Sequence, residues 1–74
     1  GSAQIIMNMT TAERIRIARL AAGMTQAQLA EAIGITTKWG QSIVAQYEMG
    51  SRPIPRKRLK DAARVLGLRL SDLI

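Results

Sequence analysis

The sequence predicts an all-α domain, and three features carry that expectation. Its apolar residues are aliphatic, with many alanines and only Trp39 and Tyr47 as aromatics, a composition that favours helix over sheet. Thr10 with Glu13, and Thr25 with Gln28, have the three-residue spacing of helix-opening capping boxes. Glycines at 23, 34, 50 and 67 fall where runs of helical periodicity stop. A chain of 74 residues makes one domain, whose small core has a thin margin over the entropy of ordering it.

The elements follow in order. The opening Gly1-Ser2-Ala3 has the look of an expression scar, with a native start at Met7 or Met9. Residues 1–8 are therefore set apart as a tag or disordered N-terminus, and 9–74 as the folded domain. The stretch Ala3–Met7 is too short for a signal peptide and lacks a basic leader. A first helix is expected from Thr10, with Ile15, Ala18 and Ala22 on one face, Ile17, Leu20 and Ala21 beside it, and Gly23 past its end. Thr25 opens a second helix in which Leu29 and Ile33 mark the buried stripe and Gly34 stops it. Only Gly23-Met24-Thr25 joins these two, so they must form a tight corner.

A third helix lies within Thr36–Met49, and its start has two readings. A cap at Thr36 or Thr37 places Gly40 inside the helix at a cost of about 1 kcal/mol against alanine. Otherwise Thr36–Gly40 is loop and the helix begins near Gln41. The prolines of Ser51–Pro55 then interrupt helicity, with Pro55 suited to the first position of a fourth helix. There Leu59, Ala62, Ala63 and Leu66 trace an apolar stripe and Gly67 ends it. Ser71 is expected to cap a last short turn over residues 71–74.

Charge narrows the function. Eleven Lys and Arg against five Asp and Glu give +6, which points to a polyanionic partner, nucleic acid first and an acidic membrane second. With neither His nor Cys, the chain lacks the usual general base, the commonest metal ligand, thiolate metal sites and disulfides. There is no nucleophile–base constellation, no glycine-rich phosphate loop and no evident carboxylate pair, so an enzyme is not expected, nor any metal or cofactor. No apolar run approaches the roughly 18–20 residues of a membrane span. The basic residues do not line one long helix opposite bulky aromatics, which argues against a membrane-surface role. RNA is disfavoured by the lack of an aromatic stacking platform. Within this basic chain the stretch Lys38–Glu48, KWGQSIVAQYE, instead fills its polar positions largely with amides and a hydroxyl.

The segments RLAAGMTQAQLAEAIGI, SIVAQYEMGSRPIP and LKDAARVLGLRLSDLI, in this order and spacing, resemble the phage repressor and Cro-type helix-turn-helix family, also called the xenobiotic-response-element type. The resemblance covers roughly Thr11 to Ile74. It implies a compact five-helix bundle of the lambda-repressor-like type, in which the second helix crosses the DNA backbone and the third enters the major groove. One departure stands out. Gly34 and Glu48 are fourteen positions apart, about four more than the family pattern, and the excess is close to one helical turn of about 3.6 residues. The insertion falls around Thr37–Gly40 and either lengthens the third helix at its start or enlarges the turn before it.

Aligned backward from Glu48, the resemblance buries Val44 and turns Gln41, Ser42, Ala45 and Gln46 toward DNA bases. A second alignment, through Gln41-Ser42-Ile43, buries Ile43 instead and still leaves Gln41 and Ser42 outside. These are suitable readers: glutamine pairs with adenine through two hydrogen bonds, serine serves several bases, and an alanine methyl packs on thymine. Gln26 is implied to hold a phosphate and brace the first reader. Thr25 and Gln28 lie at the same helix start, where free N–H groups favour an anion, although capping alone accounts for them equally well. Lys38, Arg52, Arg56, Lys57 and Arg58 are expected on the DNA backbone, with Lys60 nearby. A basic cluster at a helix N-terminus opposes the helix dipole, so its charge has another purpose. Trp39 is expected to pack the extra turn against the body.

Arg19 and Glu48 are implied to form a structural ion pair, which also turns the one carboxylate of the third helix away from DNA. Leu70, Leu73 and Ile74 either form a dimer contact or close the core of the single chain. The implied partner is double-stranded DNA carrying an inverted repeat, bound by a homodimer that forms alone or only on DNA, with recognition helices about 34–36 Å apart. The expected role is transcriptional regulation in the cytoplasm of a bacterium, or from a phage or plasmid gene. Repression by excluding RNA polymerase is favoured, and activation by touching it is left open. The competing reading is a protein-interaction or antitoxin-type module of the same fold.

Overall fold

The computed structural model describes residues 9–74, so the proposed tag at 1–8 lies outside the described residues. The chain forms α1 (Thr11–Ala21), α2 (Gln26–Ala32), α3 (Gly40–Met49), α4 (Arg56–Val65) and α5 (Leu70–Leu73), with no strand among the described residues. Both threonine caps are complete. The Thr10 hydroxyl accepts the Glu13 N–H at 3.2 Å while the Glu13 carboxylate accepts the Thr10 N–H at 3.1 Å, and Thr25 and Gln28 repeat the exchange at 3.0 and 2.8 Å. The Thr10 backbone N–H, and then the Thr10 hydroxyl, donate to the Glu13 carboxylate and hold it below the ordinary glutamate range.

α2 packs most extensively on α3; α1 rests against α3 and α5, and α4 against α2 and α5. Ile15, Leu29, Ala30, Ile33, Ile35, Val44, Tyr47, Leu59, Ala62, Ala63 and Leu73 form the core. Val44 is fully buried and Ile43 only half so, which selects the alignment counted back from Glu48. The buried face of α1 is narrower than its sequence suggests. Ile15 and Arg19 point inward, whereas Ala22 is exposed and Ile17 and Leu20 are about half exposed, because α1 meets neighbours along one stripe only.

The insertion enlarges the turn. Gly40 begins α3, preceded by Trp39 with no side-chain cap, so neither Thr36 nor Thr37 caps the helix. The turn is closed by Gly40 N–H donating to the Thr37 carbonyl at 3.1 Å and Trp39 N–H to the Thr37 hydroxyl at 3.3 Å. Gly40 is required by space: a Cβ there would lie 2.9 Å from the Ala30 Cβ and 3.1 Å from the Ile35 carbonyl oxygen. α3 therefore starts in direct contact with α2. Trp39 does not pack on the body as expected; it is 59% exposed. At the C-terminus Ser71 lies inside α5 rather than capping it, and the Asp72 carboxylate accepts the Arg69 N–H at 2.9 Å. Pro55 precedes α4 by one residue instead of being its first.

Candidate nucleic-acid interface

The outward face of α3 begins with Gln41 and Ser42, both exposed, and continues through half-buried Ala45 and Gln46. Ser42, Ala45 and Gln46 recur at helical spacing on one side, Val44, Tyr47 and Glu48 occupy the other, and Gln41 stands exposed at the helix start on the border between the two. The two sides are of different character. The outer one offers amides, a hydroxyl and a methyl, and the inner one anchors the helix.

The anchor is an ion pair. Arg19 Nε donates to Glu48 Oε2 at 2.6 Å and Nη2 to Oε1 at 3.1 Å, with side chains only 9% and 2% exposed. Arg19 Nη1 donates to the Met24 carbonyl at 2.8 Å, tying the corner between α1 and α2 to the same group. Gln26 Nε2 also donates to Glu48 Oε1, at 3.2 Å. One carboxylate thus fixes α1, α2 and α3 to each other, and the only acid in α3 is withdrawn from the outer face. Gln26 stands at the first position of α2, as the resemblance implies, but its amide nitrogen is directed to Glu48.

Gln46 has a partner that the sequence did not reveal. Arg52 Nε donates to Gln46 Oε1 at 2.7 Å. The left-handed Gly50 (φ 77°) reverses the chain so that the Ser51 and Arg52 N–H groups both reach the Gln46 carbonyl, at 3.1 and 3.3 Å. With its side-chain oxygen engaged, Gln46 presents its amide hydrogens, beside a guanidinium. This pair is rich in donors, which suit phosphate oxygens or the O6 and N7 acceptors of guanine. Glycine at position 50 with arginine two positions on, at 52, is the local signal for such a return.

The remaining basic residues divide. Arg52, Arg56, Lys57 and Lys60 are exposed around the turn and first part of α4. Arg58 is half-buried, and its Nη1 donates to the Ile33 carbonyl at 3.2 Å, closing the C-terminal end of α2. Lys38 is exposed on the inserted turn, its ammonium 4.8 Å from the Trp39 ring centre. Thr25 and Gln28 are exposed at the start of α2 and engaged in their reciprocal cap.

At the other end of the molecule, Leu73 is wholly buried and closes the core of the single chain, so it has no surface to offer another chain. Leu70 is half-buried and Ile74 is 60% exposed. Arg14 Nη1 donates to the Ile74 carbonyl at 2.8 Å, holding the last residue against α1. Among the described residues no cluster of metal-ligating side chains occurs, and no helix is long and apolar enough to cross a membrane.

No match is found among curated proteins or solved structures. A helix-turn-helix family model matches residues 15–73, from the first core residue of α1 to the last of α5. With the α2–turn–α3 arrangement and the Arg19–Glu48 anchor on the same stretch, the chain belongs to the Cro/C1-type helix-turn-helix family of DNA-binding transcription regulators.

Proposed function

We propose that this chain is a sequence-specific operator-binding regulator, a repressor, that reads the major groove with α3. The observation that carries this reading is the division of polarity on α3. Its outer face holds Gln41, Ser42, Ala45 and Gln46, and its single carboxylate is buried on Arg19. A surface intended only for attraction to DNA would be lined with Lys and Arg, which add affinity without sequence information except where arginine reaches guanine. Here the cations stand outside the face instead: Lys38 on the turn before α3, Arg52 on the return after it, and Arg56 and Lys57 at the start of α4. Thr25, Gln26 and Gln28 at the start of α2 supply further backbone contacts, and Arg58 supports them by tying α4 to α2.

The chain acts as a homodimer on an inverted repeat. Exposed Ile74 and half-buried Leu70 support a contact at the C-terminal end, and Met9, Ile17, Ala18 and Leu68 line an apolar groove beside them. Occupancy of the operator excludes RNA polymerase, and no cofactor takes part.

Selection from a random pool of duplex DNA at about 150 mM salt, where weak non-specific binding is suppressed, tests this. An enriched inverted repeat with half-sites about one helical turn apart supports the reading. Binding without enrichment reduces the chain to a generic DNA grip. No binding at all favours the protein-interaction module of the same fold.

A further inference from the structure

The inserted turn places the chain's single tryptophan at the leading end of the reading helix. We infer that Trp39 is a base-contacting, specificity-determining residue whose ring packs on a thymine C5-methyl group in the major groove, with Lys38 on the adjoining phosphate; this rests on the DNA-reading role of α3.

Four observations converge on it. The first is phase. The Trp39 carbonyl accepts the first hydrogen bond of α3, from the Ile43 N–H at 2.9 Å, so residue 39 is the N-cap and leads directly into the helical repeat. Positions three and seven further on share its side of the helix, and these are Ser42 and Gln46. Trp39 thus extends the reading stripe by one position at the end that helix-turn-helix proteins insert toward base edges.

The second is exposure. A ring 59% open to water loses apolar stabilisation that burial in an interface would restore. The third is charge. Lys38 holds its ammonium 4.8 Å from the ring centre, within the range of a cation–π contact, so the ring lies in an electropositive setting suited to a polyanion. The fourth is rigidity. Trp39 is held between the Thr37 hydroxyl, which accepts its N–H, and Gly40, which is wedged against Ala30. With the backbone so fixed, binding has only the ring itself left to order.

Thymine is the base that fits. Its methyl is the one apolar group that base pairs present in the major groove, whereas the other edges present donors and acceptors that an indole face cannot satisfy.

The test uses the intact chain and a duplex carrying the selected site. Tryptophan fluorescence reports on Trp39 alone, since it is the only tryptophan. Acrylamide quenching of free protein should be efficient and should fall sharply on the complex. Replacing thymines one at a time by deoxyuridine removes only the methyl group. One such replacement per half-site should weaken binding about fourfold, the effect of withdrawing one buried methyl from contact. Trp39→Ala should remove that preference, while Trp39→Phe should keep part of it. Undiminished quenching in a complex that anisotropy shows to be formed overturns the inference and leaves the DNA-reading role of α3 standing. An identical deoxyuridine profile for wild type and Trp39→Ala does the same. Failure to bind any duplex overturns both.

Discussion

Glu48→Gln isolates the anchor of the reading helix, because the replacement keeps the shape and removes the charge. In the wild type, Arg19 Nε, Arg19 Nη2 and Gln26 Nε2 all donate to the carboxylate. A glutamine has one oxygen and one amide nitrogen. Whichever way it is turned, at least one of these donors faces another donor, and the Arg19 guanidinium stays buried without a counter-charge. Removing one partner of a buried ion pair costs about 3–5 kcal/mol. No cavity is created, so the lower end applies, about 3 kcal/mol. For a domain of this size each kcal/mol displaces the melting temperature by about 4–8 °C, giving a fall of about 12–24 °C. That is a large share of a total stability on the order of 4–11 kcal/mol.

Thermal melting followed by far-UV circular dichroism measures the shift directly. Replacing both partners in the Arg19→Met/Glu48→Met double variant removes the orphaned charge and should recover most of the loss. DNA affinity of Glu48→Gln, measured well below its melting point, should also fall, because the angle of α3 depends on this group. A melting temperature within about 3 °C of wild type would show that water or a rearranged Arg19 replaces the pair, and would refute the reasoning.

Three further outcomes are expected. Gly40→Ala forces a Cβ to within 2.9 Å of Ala30, and overpacking of this kind should cost about 1–3 kcal/mol in a denaturant titration. If Lys38, Arg52, Arg56, Lys57 and Lys60 each neutralise a phosphate, log K should fall with log salt at a slope of about −4 to −5 per chain, and Lys57→Ala should reduce its magnitude by about 0.9; an unchanged slope would remove Lys57 from the contact. The Thr10 cap holds the Glu13 carboxyl below its ordinary pKa, so the stabilisation linked to its ionisation is present above the unfolded-state value and is lost as pH falls through the lower folded value. Thr10→Ala should return the Glu13 titration, followed by NMR, toward the ordinary glutamate range.

Much of this architecture is legible in the sequence because short-range rules decide it. Thr10 with Glu13 and Thr25 with Gln28 name their own partners, and the stripe of Leu59, Ala62 and Ala63 admits one buried face on α4. α1 was less readable: Ile17 and Leu20 are as apolar as Ile15, and only the positions of α3 and α5 decide which of them is covered. The insertion was ambiguous for a related reason. Four residues suit a helical turn and a loop equally well by length, and the choice falls to the close approach of Gly40 to Ala30, a contact between helices that local spacing does not encode. The same limit applies to the hydrogen bond of Arg58 with Ile33, which joins a long flexible side chain to an acceptor whose position is set by the tertiary fold. The bond of Arg52 with Gln46 spans only six residues across the Gly50 return, and each bond changes what its residue can offer to DNA.

The most direct test of the central claim, that α3 reads sequence, compares wild type with Gln41→Ala on every single-base variant of the selected half-site. Gln41 is exposed and outside the anchor, so the variant should fold as wild type does. Discrimination should be lost at one position in each half-site, by about 1–3 kcal/mol, and kept at the others. A uniform loss across all variants, or none, would contradict it and leave α3 as a scaffold for its basic flanks.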